Sequence, residues 1–328
     1  MKRRAFITLI GGAAAYPLAA HAQQFGRVRR IGALFPLGTD DPEQMARRVA
    51  LRLALENAGW SDGRAARIDY RHANGPDEFG ALAKELVALK PDIIFAQTPG
   101  VVAAFKREAG AIPIVFVNVS DPIGAGFVAS LARPGGNITG LQLFEASVAG
   151  KWLSMLKEMS PRLRRAALIA NPKTTAYDYF LRSVEAAAPK LAIEIVPGRV
   201  ESPADIERAI EAAARAPGGG LVVAPDGTML RNRGLIIDLA ARHKLPAVYP
   251  ERIYAAAGGL MSYGIADHLE PFRQAATYID RILKGASPTD LPVQAPTKYA
   301  LAVNRKTAKA LSLAVPPGLL VAADEVIG

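Results

Sequence analysis

The stretch PDIIFAQTPGVVAAFKREAGAIPIVFVNVSDP, residues 91–122, holds two apolar runs on either side of an amphipathic segment. The runs over 92–96 and 113–119 read as strands buried on both faces, because they lack the polar alternation of a half-exposed strand. The segment over 101–109 between them reads as a helix. Strand, helix and strand in so short a span form a crossover unit, and such a unit makes its two strands parallel.

Working outward toward the N-terminus, residues 31–37 read as a strand and 42–58 as a helix that stops at Gly59. Strand 67–72 and helix 77–89 follow, completing one doubly wound lobe. Beyond residue 122 the sequence predicts a short helix over 124–131, a turn at Pro134-Gly135-Gly136-Asn137 and a strand over 138–143. A second series then repeats the order. Its expected helices cover 148–159, 177–188, 203–216 and 228–243, and its strands 166–170, 193–196, 221–224 and 247–249. The repetition lies in element order, with no residue-level repeat.

The tail carries an apolar segment over 259–265, a helix over 268–283, a Pro-rich extended piece over 285–296 and a last helix over 306–313. In one doubly wound domain this tail is surplus. In a two-lobed α/β clamp it supplies extra passages of chain between lobes, and several passages make a hinge. The expected division is residues 28–140 plus 260–287 for the N-terminal lobe and 141–259 plus 288–328 for the C-terminal lobe.

The first residues bear on compartment. Lys2, Arg3 and Arg4 precede a mildly apolar segment over 6–18, and Ala20-His21-Ala22 is a small-x-small cleavage sequence, so residues 1–22 read as an export signal cleaved near Ala22. Arg3-Arg4-Ala5-Phe6-Ile7 also resembles the twin-arginine signature, with general secretion as the other route. The chain has no cysteine, which excludes disulfides, thiolate metal sites and a lipidated Cys at the cleavage point. A free, monomeric periplasmic protein without a membrane anchor is expected.

Composition narrows the function. Of 328 residues 50% are hydrophobic and 21% charged, an ordinary globular balance, and the length calls for two domains. The formal charge of +10 is scattered along the chain and not interleaved with aromatics, which argues against nucleic acid as a partner. His72, His243 and His268 stand far apart, without metal-ligand spacing. Gly259-Leu260-Met261-Ser262-Tyr263-Gly264 has one residue too many for a nucleophile elbow, and no phosphate-cradling glycine loop follows the first strand. No catalytic residue, metal or cofactor is expected.

A resemblance then spans nearly the whole chain. It is carried by residues 112–117 (IPIVFV), 120–126 (SDPIGAG), 130–140 (SLARPGGNITG), 239–247 (LAARHKLPA) and 258–264 (GGLMSYG), and by phrases between 276 and 311. These resemble ABC-transporter substrate-binding proteins related to tryptophan and tyrosine binders, of the type I periplasmic-binding fold. The resemblance implies capture of a small organic solute, with an amino acid as candidate, and delivery to an ABC permease in the inner membrane. A periplasmic sensor that presents its ligand to a signalling receptor stays open as the alternative.

Ligands of open α/β sheets bind beyond the carboxyl ends of the strands, which in a clamp face the cleft from both lobes. The candidates there are Phe35, Gln97, Thr98, Ser120 and Asp121 in the first lobe and Asn171, Asp226 and Tyr249 in the second, with Tyr263 in the hinge phrase. Thr98 with the N–H groups of its helix suits a carboxylate, or is a plain N-cap. Asp121 and Asp226 suit an ammonium, or open turns. Asn171 touches ligand or fixes its Pro172 turn. Each aromatic either walls the pocket or packs in the core.

Overall fold

The computed structural model describes residues 27–215 and 217–328; the export-signal reading over residues 1–22 lies outside the described residues. The first lobe is a five-stranded sheet in the order β2-β1-β3-β4-β5, every neighbouring pair parallel. Its strands are β1 (Arg29–Phe35), β2 (Ala66–His72), β3 (Ile93–Gln97), β4 (Ile114–Val119) and β5 (Ile138–Gln142). The helices between them are α1 (Pro42–Asn57), α2 (Phe79–Ala88) and α3 (Pro99–Glu108).

The second lobe is a seven-stranded sheet in the order β12-β11-β10-β9-β8-β6-β7. Its strands are β6 (Arg165–Ala170), β7 (Glu194–Arg199), β8 (Leu221–Val223), β9 (Ala247–Tyr249), β10 (Met261–Ile265), β11 (Tyr299–Asn304) and β12 (Glu325–Ile327). Only the β10–β11 pair runs antiparallel. The helices are α4 (Ser147–Met159), α5 (Tyr177–Leu191), α6 (Pro203–Ala214), α7 (Gly227–Arg231), α8 (Arg233–Arg242), α9 (Arg252–Ala256), α10 (Glu270–Leu283), α11 (Arg305–Ala310) and α12 (Pro317–Ala322).

Each sheet carries an apolar core on both faces, as its uninterrupted apolar strands require. One face of the first sheet packs α1 and α10, with Ile31, Phe35, Leu51 and Phe95 against Phe272 and Ile279. The other packs α2 and α3, with Ile94 and Phe116 against Leu86 and Phe105.

The tail corrects the expected lobe boundaries. Residues 261–265, assigned to the first lobe from sequence, form β10 of the second sheet. The chain then crosses to place α10 on the first lobe. Leu291 and Val293, expected in the second lobe, are buried in the two first-lobe cores. Gln294 pairs with β5, its carbonyl accepting from the Gln142 N–H at 2.7 Å, before the chain returns to β11. Burial decides these positions: an apolar run goes to whichever core its chain can reach. Three passages therefore join the lobes, between β5 and α4, between β10 and α10, and between Gln294 and β11.

Two helices are also corrected. Residues 124–131 form a turn followed by bends and irregular chain rather than a helix. The Asp121 carboxylate accepts from the Gly124 N–H at 2.8 Å, and Gly126 at φ +67° breaks helical propagation. The expected helix over 228–243 is divided into α7 and α8 at Asn232, whose Nδ2 donates to the Thr228 carbonyl at 2.9 Å. A side-chain amide that competes for backbone partners is a physical cause of such a break.

Candidate ligand-binding cleft

The carboxyl ends of β1, β3 and β4 meet those of β6, β8 and β9 across a narrow cavity of about 30 Å³. Pro36, Leu37, Arg47, Gln97, Thr98 and Asn118 line it from the first lobe, and Thr174, Thr175, Asp226 and Glu251 from the second. A neighbouring cavity of about 110 Å³ shares Arg47, Asn118 and Glu251 and adds Glu43, Leu143, Phe144, Ile253 and His268. A water needs at least about 10–15 Å³ of such a cavity, so the narrow one as it stands has room for little more than water.

Thr98 and Gln97 are where the sequence places them. Thr98 precedes α3 but makes no capping bond, so the plain N-cap role is not the one it plays. Its backbone sits at φ +77°, ψ 153°, a conformation that a β-branched residue adopts only at a cost. The side chain is 9% exposed and its Oγ1 has no partner in the protein. A strained residue that presents an unused buried hydroxyl beside a helix N-terminus is an arrangement suited to an anion. Thr98→Gly should raise stability by about 1 kcal/mol, because strain of roughly 1–3 kcal/mol outweighs the entropy cost of glycine. A lowered thermal midpoint would show that the threonine side chain is needed for packing. Gln97, also buried, accepts at its Oε1 from Gln44 Nε2 at 3.2 Å.

Asp226 lines the cavity, but its carboxylate is committed to its own lobe. Oδ2 accepts from the Asn171 N–H at 2.8 Å and from Thr174 Oγ1 at 2.8 Å. Oδ1 accepts from the Met229 N–H at 3.2 Å and from the Thr228 N–H. Four donors use the roughly four lone-pair positions of a carboxylate. Burial pushes the Asp226 carboxyl up, and these hydrogen bonds oppose the rise. Its visible work is to cap α7 and tie it to the loop after β6, not to await an ammonium. Asn171 belongs to the same tie: its Nδ2 donates to Thr228 Oγ1 at 3.1 Å and its Oδ1 accepts from the Lys173 N–H at 2.9 Å.

The remaining candidates lie away from the cavity. Asp121 opens its turn. Ser120 is buried and does not line either cavity; its carbonyl accepts from Gln142 Nε2 at 2.6 Å. Phe35 packs in the first core, stacked on His72 with centroids 5.2 Å apart. Tyr249 is 1% exposed and stacked on Tyr254 at 4.9 Å, so it faces the second core. Tyr263 stacks on Tyr299 at 5.5 Å, and its hydroxyl accepts from Lys151 Nζ at 2.6 Å. Strand alternation explains the aromatics: a side chain at a strand's carboxyl end still points to one face of the sheet, not along the strand into the cleft.

Arg47 and Glu251 are among the cleft residues that sequence reading missed. Arg47 Nη2 meets Glu251 Oε2 at 2.5 Å across the lobes. Arg47 is 4% exposed, its Nε has no partner in the protein, and its guanidinium lies 6.0 Å from the Phe272 ring centroid. A signal was available. On α1, Gln44 and Arg47 are buried in register with Leu51 and Leu55, so two polar residues occupy the apolar stripe at three- and four-residue spacing. Arg233 and Asp41, at 3.1 Å, form a second ion pair between the lobes. His268 and Glu43 meet at 3.0 Å near the hinge, and this hydrogen bond holds the Glu43 carboxyl below its usual range despite burial.

Among the described residues no cluster of three His, Cys, Asp or Glu could hold a metal, and no helix is long and apolar enough to cross a membrane. Two doubly wound lobes joined by three passages of chain around a polar interlobe cleft define a solute-binding clamp. The sequence pattern described as ABC transporter substrate binding protein matches residues 39–327, and the chain belongs to that family. It is 28% identical over 262 residues to a tyrosine-binding protein of Clostridioides difficile, a match covering 79% of this chain and 74% of that one. A conserved domain protein of Vibrio cholerae superposes with a TM-score of 0.85 at 26% identity, covering 92% of this chain and all of the other. An ABC domain from Streptococcus pneumonia in complex with L-tryptophan superposes at 0.84 and 22% identity with the same coverage, which establishes the shared fold.

Proposed function

We propose that this chain is the solute-capturing component of an ABC importer, that it works as a monomer in the periplasm after export, and that it delivers an amino acid to a membrane permease. The observation that carries the reading is the cleft itself. Thr98, Gln97, Arg47 and Glu251 converge there from both lobes, two of them with unpartnered buried atoms, beside a second cavity with an apolar side formed by Leu143, Phe144 and Ile253. Polar groups that fix orientation next to an apolar wall are what a small ligand of mixed character needs. The tyrosine-binding relative supports an amino acid as that ligand. The ligand selects the closed arrangement only to the extent that it binds it better than the open one.

A thermal-shift screen of residues 23–328 against the amino acids, aromatic acids and small carboxylates tests this. Ligand at a hundredfold excess over Kd should stabilise the protein by about 2.7 kcal/mol, with tyrosine or tryptophan among the stabilising compounds. Stabilisation by non-amine compounds alone would rule out an amino acid.

A further inference from the structure

Of all the charged groups at the cleft, Arg47 and Glu251 alone face one another across the cavity itself and line both of its chambers. Their surroundings differ from those of Asp226 in one decisive respect. Glu251 precedes α9 yet makes no side-chain capping bond, and the partner of its carboxylate is Arg47. Arg47 in turn has its Nε buried without a partner. Both groups therefore have bonding capacity left over, on side chains that are 5% and 19% exposed.

We propose that the Arg47–Glu251 ion pair is the site's charge-matched placeholder and that a zwitterionic ligand enters by splitting it. The inference rests on the amino-acid reading above. The ligand carboxylate takes Arg47, assisted by Thr98 Oγ1 and the N-terminus of α3, all on the first lobe. The ligand ammonium takes Glu251 on the second lobe, which with Asp226 is one of two acids in the narrow chamber and is the one whose carboxylate is not saturated. Closure over an α-amino acid then exchanges one internal pair for two ligand pairs and strands no charge.

The same geometry disfavours a ligand with only one of these groups. A plain carboxylate on Arg47 leaves Glu251 without its cation in a cleft from which water is being expelled, and a plain amine leaves Arg47 without its anion. Breaking a buried pair by satisfying only one partner is strongly unfavourable. The pair thus acts as a filter for zwitterions. The ligand side chain extends into the larger chamber, against Leu143, Phe144 and Ile253.

The test is calorimetric titration of the full mature chain with L-tyrosine and L-tryptophan, with their deamino acids 3-(4-hydroxyphenyl)propionate and indole-3-propionate, and with tyramine and tryptamine. The wild type should bind an amino acid at least tenfold tighter than its deamino acid or its amine. Glu251→Gln should weaken the amino acid by at least tenfold while leaving the deamino acid as tight or tighter, so that the preference collapses. Arg47→Gln should weaken amino acid and deamino acid alike. Should Arg47→Gln fail to fold, Arg47→Lys keeps the charge but loses the two-pronged contact and should show a smaller loss in the same two ligands. A preference that survives Glu251→Gln, or affinities untouched by the Arg47 variants, would overturn the proposal while leaving amino-acid capture intact. If the wild type binds none of the amino acids, the amino-acid reading falls and this inference with it.

Discussion

Asp226→Ala should cost about 3–5 kcal/mol of stability, although Asp226 sits at the cleft and its sequence position invites a purely ligand-binding role. The carboxylate accepts from four donors, three of them backbone N–H groups, at a position only 9% exposed. Each buried donor stranded by its removal costs roughly 1–3 kcal/mol, and partial relaxation of the loop lowers the total. Asp226→Asn should recover little, because its amide would set a donor against two of the existing donors. Urea unfolding followed by circular dichroism measures both variants. A loss below about 1 kcal/mol for Ala would mean that water satisfies these groups and that the tie between α7 and the loop after β6 is dispensable. Any fall in ligand affinity in these variants should come with the loss of stability, since the carboxylate has no lone pair to spare.

Trp152→Ala should destabilise the second lobe by a similar amount, about 3–5 kcal/mol, the range for deleting a large aromatic from a packed core. Trp152 on α4 is fully buried, with Phe144 edge-on at 5.3 Å and Phe180 at 5.8 Å. Its Nε1 also donates to the Tyr263 carbonyl at 2.7 Å, which ties α4 to β10 beside a hinge passage. Loss of the ring opens a cavity and strands that carbonyl together. Because the two lobes have separate cores, unfolding is expected to lose two-state character as the second lobe melts first. Fluorescence and circular dichroism transitions that stay coincident, with an unshifted midpoint, would contradict this.

Much of the fold was legible because its signals are local. The largely apolar runs read as strands over 92–96, 113–119 and 166–170 are the buried strands Ile93–Gln97, Ile114–Val119 and Arg165–Ala170, and Gly59 and Pro203 stand at the helix end and helix start expected of them. The errors have local causes too. The turns after Asp121 look helical by composition until its carboxylate and Gly126 intervene, and Asn232 divides a helix that its flanking residues would continue. The site was less legible. Position at a strand's end puts Gln97, Thr98 and Asp226 at the cavity lining, but gives no indication of which way Phe35 and Tyr249 point.

From the sequence alone followed the alternating α/β order, the two-lobed plan and the family, since each depends on periodicity or on phrases contiguous in the chain. The tertiary structure decided what the cleft is made of. Arg47 and Glu251 stand 204 residues apart and become partners only when the lobes face each other. Tertiary structure also separated two acids that look alike in the sequence. Asp226 is saturated within its own lobe, by α7 and by the loop after β6, while Glu251, with no cap to make, keeps a carboxylate for what crosses the cleft. A lone pair's partners are set in three dimensions, and the spacing of residues along a chain does not record them.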